Sequence, residues 1–140
     1  METGCVSGLM MGLKHQAAAA RKWRTAIRQV REHFSAYLPP AFFLTDPKRV
    51  TNPLAVIPAL PEGTGVIYRH FGAKDRAKTA AKLQALCAKE NRLLLIAADP
   101  NLARTVGADG VHWPEARLSE ARHWRGRFFI QTASAHSIRA

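Results

Sequence analysis

The sequence is short of cysteine, of acidic residues and of long apolar runs. Its two cysteines, Cys5 and Cys87, form neither a CxxC pair nor a metal-binding spacing. This excludes a disulfide framework and points to a reducing compartment. No apolar stretch reaches the length of a transmembrane helix. Residues 1–13 contain a short apolar patch at 6–11, with no basic residue before it and no convincing cleavage site. A signal peptide is therefore not expected, and the chain is assigned to the cytoplasm, off the membrane. No glycine-rich phosphate loop follows the first predicted strand, where Thr45-Asp46-Pro47 stands instead. The dinucleotide and P-loop readings lose their support with it.

The shortage of acid leaves 10 Asp and Glu against 21 Lys and Arg, a formal charge of +11. Such a field attracts phosphates, on small metabolites or on nucleic acid, although a solvated basic surface produces the same balance. Lys14, Arg21, Lys22, Arg24, Arg28 and Arg31 concentrate the excess in one segment. Within it, Trp23, Ile27, Val30, Phe34 and Leu38 recur at helical spacing, predicting an amphipathic helix over 16–38 after a frayed leader at 1–13. A stripe of this kind docks on its own domain more often than on membrane or RNA. Pro39-Pro40 is the expected terminator.

Hydrophobic residues make up 47% of a 140-residue chain, enough for one domain with a real core. Beyond residue 40 the pattern becomes rhythmic. Strands are predicted at 42–45, 65–68, 93–97, 108–113 and 128–132, with helical segments at 54–60, 74–90, 101–106 and 118–124 between them. The helix at 74–90 has Ala77, Ala80, Ala81, Leu83, Leu86 and Cys87 for its buried side, and Gly107 stands where a helix terminator belongs. The strands are continuous apolar runs, as in a parallel sheet covered on both faces. Order alone leaves an open doubly wound sheet and a closed barrel both standing.

Ligands of parallel α/β folds bind at the carboxyl ends of the strands. The polar residues there are Asp46, then Arg69 and His70, Asp99, His112, and finally Ser134, His136 and Ser137. Asp46 and Asp99 each precede a helical segment, where capping or turn chemistry is the competing role. His112 is equally readable as a satisfied core histidine. Arg69, ending an apolar strand, calls for an anionic partner. Ser134, His136 and Ser137 offer hydroxyls and an imidazole for phosphate contacts or proton transfer.

The segment Gly107-Ala108-Asp109-Gly110-Val111-His112 resembles the signature of the thiamine phosphate synthase and TenI family. Phe43-Leu44-Thr45-Asp46, Val66-Ile67-Tyr68-Arg69, Leu102-Ala103 and Ala133-Ser134-Ala135-His136-Ser137 follow the family's order, from about residue 41 onward. The resemblance implies two parts: a leader and basic helix at 1–40, and a family barrel at 41–140. The fold it implies is an incomplete TIM-type (β/α) barrel of about five strand–helix units. The family's barrel has eight strands, so a second copy of the chain or a complementing C-terminal half would supply the remainder.

The resemblance also implies thiamin biosynthesis. The synthase joins hydroxymethylpyrimidine diphosphate to a thiazole phosphate with Mg²⁺, whereas TenI isomerises the thiazole phosphate without metal. Arg69 matches the arginine that contacts the diphosphate, Ser134 the serine after the fifth strand, and His136, the expected catalytic group, the histidine of that segment. Ser137 is expected to join the phosphate contacts. The family's Mg²⁺-binding aspartates have no counterparts: Ala97-Ala98 stands at one place and Pro114-Glu115-Ala116-Arg117 at the other. Asp99 falls one residue late. Arg117 would itself neutralise a phosphate, in keeping with the TenI side. A non-catalytic phosphate-binding module and a nucleic-acid binder acting through the basic helix are the competing functions.

Overall fold

A computed structural model describes residues 5–33 and 37–134. The chain divides into two units, Met1–Pro40 and Ala41–Ala140. The first holds α1 (Cys5–His33), which begins where the sequence suggested a frayed leader; residues 34–36, which lead towards the expected stop at Pro39-Pro40, lie outside the described residues. The early start has a local cause: residues 5–20 contain no proline and are mostly good helix formers. Of the predicted stripe, Ile27 is buried and Val30 half-buried, whereas Trp23 is exposed. Phe34 lies outside the described residues. Arg21, Lys22, Arg24, Arg28 and Arg31 are all exposed.

The second unit is built on five parallel strands: β1 (Ala41–Leu44), β2 (Thr64–Tyr68), β3 (Leu94–Ala97), β4 (Gly110–Trp113) and β5 (Ile130–Ala133). They lie in the spatial order β1-β2-β3-β4-β5, each beside its sequence neighbours. A doubly wound sheet reverses direction at a switch point. This sheet never reverses, which decides the choice that sequence left open: it is an incomplete TIM-type barrel wall. Among the described residues β1 and β5 pair on one side only. Both are only half-buried, in contrast to the fully buried β2 and β3.

Alternation along the strands sorts side chains between two faces. Val66, Tyr68, Leu94, Ile96, Val111 and Trp113 meet the helical layer in the larger core, with Ile57, Leu83 and Cys87 opposite them. Ile67, Leu95 and Ala97 form a smaller core on the other face, with Phe42 and Ile130 packed against it. The connections are α2 (Pro53–Val56), α3 (Arg76–Lys89), α4 (Pro100–Val106) and α5 (Leu118–Ala121), with 3₁₀ turns at Ile57–Ala59, Glu115–Arg117 and Arg122–Trp124. Helix α3 buries Ala80, Leu83 and Cys87, whose 3 and 4 spacing makes one stripe. Ala77 and Ala81, expected on that side, are exposed. The contact is narrower than the alanine content suggested.

The Gly107–His112 segment is explained by backbone geometry. Gly107 ends α4 with a left-handed φ of 70°, and the Ala108 N–H reaches back to the Ala103 carbonyl at 2.9 Å. Gly110 lies against β5: a Cβ there would stand 1.8 Å from the Ile130 carbonyl oxygen and 2.8 Å from Leu95 Cδ2. Only glycine permits β3, β4 and β5 to come together at this point.

Candidate functional site

Beyond the carboxyl ends of the strands lies a cleft of about 140 Å³ lined by Leu44, Arg69, Phe71, Ala97, His112, Pro114 and Ser134. Every strand end contributes to it, which is what a parallel sheet rolled in one direction produces. Leu44 and Phe71 are exposed apolar side chains that form part of its wall. The register places Tyr68 beside Ile96, and Ala97 beside His112, which pairs with Thr132. Arg69, one residue past Tyr68, continues that level.

Arg69 is fixed through its backbone. Its N–H donates to the hydroxyl of buried Thr45 at 2.9 Å, and its carbonyl accepts from Phe71 N–H at 2.5 Å. Its guanidinium has no hydrogen bond or ion pair among the described residues. An arginine held at the mouth of a cleft without a counter-ion is a ready anion site. His112 reaches the same cleft and shares a 2.8 Å hydrogen bond between Nδ1 and Thr132 Oγ1. Burial, and then the charge of Arg69, hold its pKa below the usual histidine value, so the ring is neutral near pH 7. Ser134 is exposed at the rim, its N–H bonded to the Trp113 carbonyl at 3.1 Å.

The remaining candidates sit elsewhere. Asp46 serves its own turn: its Oδ1 accepts the Lys48 N–H at 2.9 Å, and its carbonyl accepts from Arg49 and Val50. Asp99 caps α4 through the Leu102 N–H at 2.9 Å, and its other oxygen pairs with Arg76 at 2.5 Å. His70 turns away from the cleft, buried, with its ring 5.0 Å from that of Tyr68. Arg117 is neutralised by both oxygens of Glu120 at 2.6 Å and donates to the Ala98 carbonyl at 2.7 Å. His136 and Ser137 lie outside the described residues.

Several supporting side chains gave no signal in the sequence. Arg92 donates to the carbonyls of Leu60, Pro61 and Thr64, holding the start of β2. Gln131 accepts from Trp113 Nε1 at 2.8 Å and anchors β5 on β4. Thr132, the partner of His112, becomes visible only once the strand register is known. The Arg117–Glu120 pair was legible in principle, as opposite charges three residues apart in a helical segment.

The fit to Mg²⁺ fails on the donor set. Ala97 and Ala98 supply no side-chain oxygen at the end of β3, and both Asp99 oxygens are engaged. Arg117, which follows β4, presents a guanidinium that donates to the Ala98 carbonyl at the end of β3. Among the described residues no three His, Cys, Asp or Glu side chains gather into a metal-binding group. A hard dication requires oxygen ligands, and this rim presents arginines. The residues present do not fit Mg²⁺.

No helix among the described residues is long and apolar enough to cross a membrane. No curated protein matches the chain. The family model described as thiamine monophosphate synthase, TMP-TENI, matches residues 41–140, the whole of the stranded unit that carries the cleft. On that match the chain belongs to the thiamine monophosphate synthase (TMP-TENI) family.

Proposed function

We propose that this chain acts on phosphorylated thiazole and pyrimidine intermediates of thiamin biosynthesis, and that its chemistry is the metal-free isomerisation of a thiazole phosphate. The observation that carries this reading is the Arg69 guanidinium, without a hydrogen bond or ion pair among the described residues, in a cleft to which all five strand ends contribute. Arg69 takes the phosphate, with Ser134 as a hydroxyl donor beside it. Ser137 extends the phosphate contacts and His136 moves the proton. Coupling that releases pyrophosphate requires charge shielding, and a cleft lined, among the described residues, by Arg69 and no carboxylate favours the isomerase side. Among the described residues β1 and β5 each pair on one side only, and their other edges are where a second copy of the chain would add strands.

The test uses the purified full chain with thiazole phosphate, with and without pyrimidine diphosphate and Mg²⁺. Binding and isomerisation are expected, with Arg69→Ala weakening binding about 10- to 100-fold, as loss of a charge-assisted contact does. Binding without turnover in either assay would favour the competing reading, a non-catalytic phosphate-binding module. Neither binding nor turnover overturns both.

A further inference from the structure

His112 shares the cleft with Arg69 and is held by a partner that suits it to a changing charge. Thr132 Oγ1 stands 2.8 Å from Nδ1. A hydroxyl both donates and accepts. With the ring neutral, it donates to a bare Nδ1 or accepts from a protonated one; with the ring charged, it accepts. The bond therefore survives protonation, as it would not with a backbone N–H partner, which only donates. Among the described residues the ionisable side chain that acts on this ring is Arg69, from the end of β2. Ala97, Thr132 and Ser134, the neighbours from β3 and β5, carry no charge. Asp46, Asp99 and Arg117 are taken up by their own turn, by Arg76 and by Glu120 respectively.

We propose that Arg69 and His112 form one proton-coupled anion receptor, in which a tetrahedral dianion seated on Arg69 is met by His112, and His112 binds a proton as the anion enters. The inference rests on the phosphate-binding reading of Arg69 and adds a second contact to it. In the free cleft the Arg69 charge opposes protonation of the imidazole. A bound dianion cancels that charge and attracts the imidazolium directly, so anion and proton strengthen each other's binding reciprocally. Thr132 is the positioning residue that holds the ring through the change. The ligand class is a phosphate monoester or another compact dianion, in keeping with a cleft of about 140 Å³.

Sulfate is the appropriate probe, because its own charge does not change between about pH 5 and 8, where histidine titrates. Calorimetric titration of the full chain in buffers of different ionisation enthalpy should show uptake of up to about one proton per sulfate. Affinity should rise as pH falls, by at most about tenfold per pH unit. His112→Gln should still bind sulfate through Arg69, with the proton uptake abolished. Nitrogen-15 NMR of the unmodified protein should show the His112 ring gaining charge on adding sulfate, and Thr132→Val should alter its tautomer balance. Sulfate binding lost in Arg69→Ala yet without proton uptake, or with uptake unchanged in His112→Gln, overturns the coupling and leaves the phosphate site standing. No sulfate binding at all, or binding indifferent to Arg69→Ala, removes both.

Discussion

Asp109 accepts a 2.8 Å hydrogen bond from the Leu94 N–H on its carboxylate, while its own N–H donates to the Leu94 carbonyl at 2.9 Å. Its carbonyl accepts from the Ile130 N–H at 3.2 Å. One residue thus ties the starts of β3, β4 and β5, at the opposite end of the strands from the cleft. Asp109→Ala leaves the partly buried Leu94 N–H without that partner and should cost about 1–3 kcal/mol. Asp109→Asn, which keeps an acceptor, should recover part of the loss. Urea midpoints measure both variants. Sulfate affinity of the folded Asp109→Ala protein should be unchanged, because the site and the tie lie at opposite ends of the strands.

Gly110 begins β4 in register with Leu95 and Ile130. Gly110→Ala drives a methyl group into the Ile130 carbonyl, which as sheet backbone has no free direction of retreat, and against the Leu95 side chain. The expected loss is about 3 kcal/mol or more, read as insoluble expression or a collapsed melting transition. Gly107→Ala is the control. Nothing lies within 4 Å of the added Cβ there, so its penalty should be limited to the left-handed backbone, about 1 kcal/mol.

The strands were legible because burial on both faces leaves a signal in every residue of a run such as Leu93-Leu94-Leu95-Ile96. Gly107 was legible because a left-handed helix terminus needs glycine. The boundaries moved: β4 begins at Gly110, not at residue 108, because Ala108 and Asp109 are used to close α4 and to tie β3. The rim was only half legible. Sequence placed Arg69, His112 and Ser134 at strand ends, and the rolled sheet brings those three to one cleft. Asp99 stands at an equivalent strand end, yet Arg76, 23 residues earlier, engages it. Contacts at such separations, like His112 with Thr132, depend on register and on which helix packs where, and no local periodicity encodes either.

Ala98, at the end of β3, has a φ of 54°, a left-handed conformation that costs an alanine about 1–2 kcal/mol. Both its backbone groups are clamped: the N–H donates to the His112 carbonyl at 2.9 Å, and the carbonyl accepts from Arg117 at 2.7 Å. These bonds hold the conformation against its intrinsic cost. Ala98→Gly relieves the strain but frees the unfolded chain, for a net gain of about 0.5 kcal/mol. Ala98→Val, β-branched, should lose about 1–2 kcal/mol. Thermal melts rank the two variants on opposite sides of the parent protein; the same sign for both would refute the account.

His70 is 7% exposed, and its Nε2 is buried with no hydrogen-bond partner among the described residues. Burial pushes its pKa below the ordinary value, Asp46 and Asp75 oppose that push, and Arg76 adds to it. The sign follows from proton counts. Below an ordinary value of about 6.5 the unfolded chain binds a proton that the folded chain refuses, so stability is lost as pH falls through that window. It returns in full above the window. The slope per histidine is at most about 1.4 kcal/mol per pH unit. His112, depressed in the same direction by burial and by Arg69, contributes with the same sign. Denaturant midpoints measured at about pH 7.5 and 5.5 should therefore fall on acidification, less steeply in His70→Phe, which keeps a ring against Tyr68 and cannot titrate. Combining it with His112→Gln should flatten the profile further. A slope in His70→Phe as steep as the parent's would show that this buried imidazole is not what acid attacks.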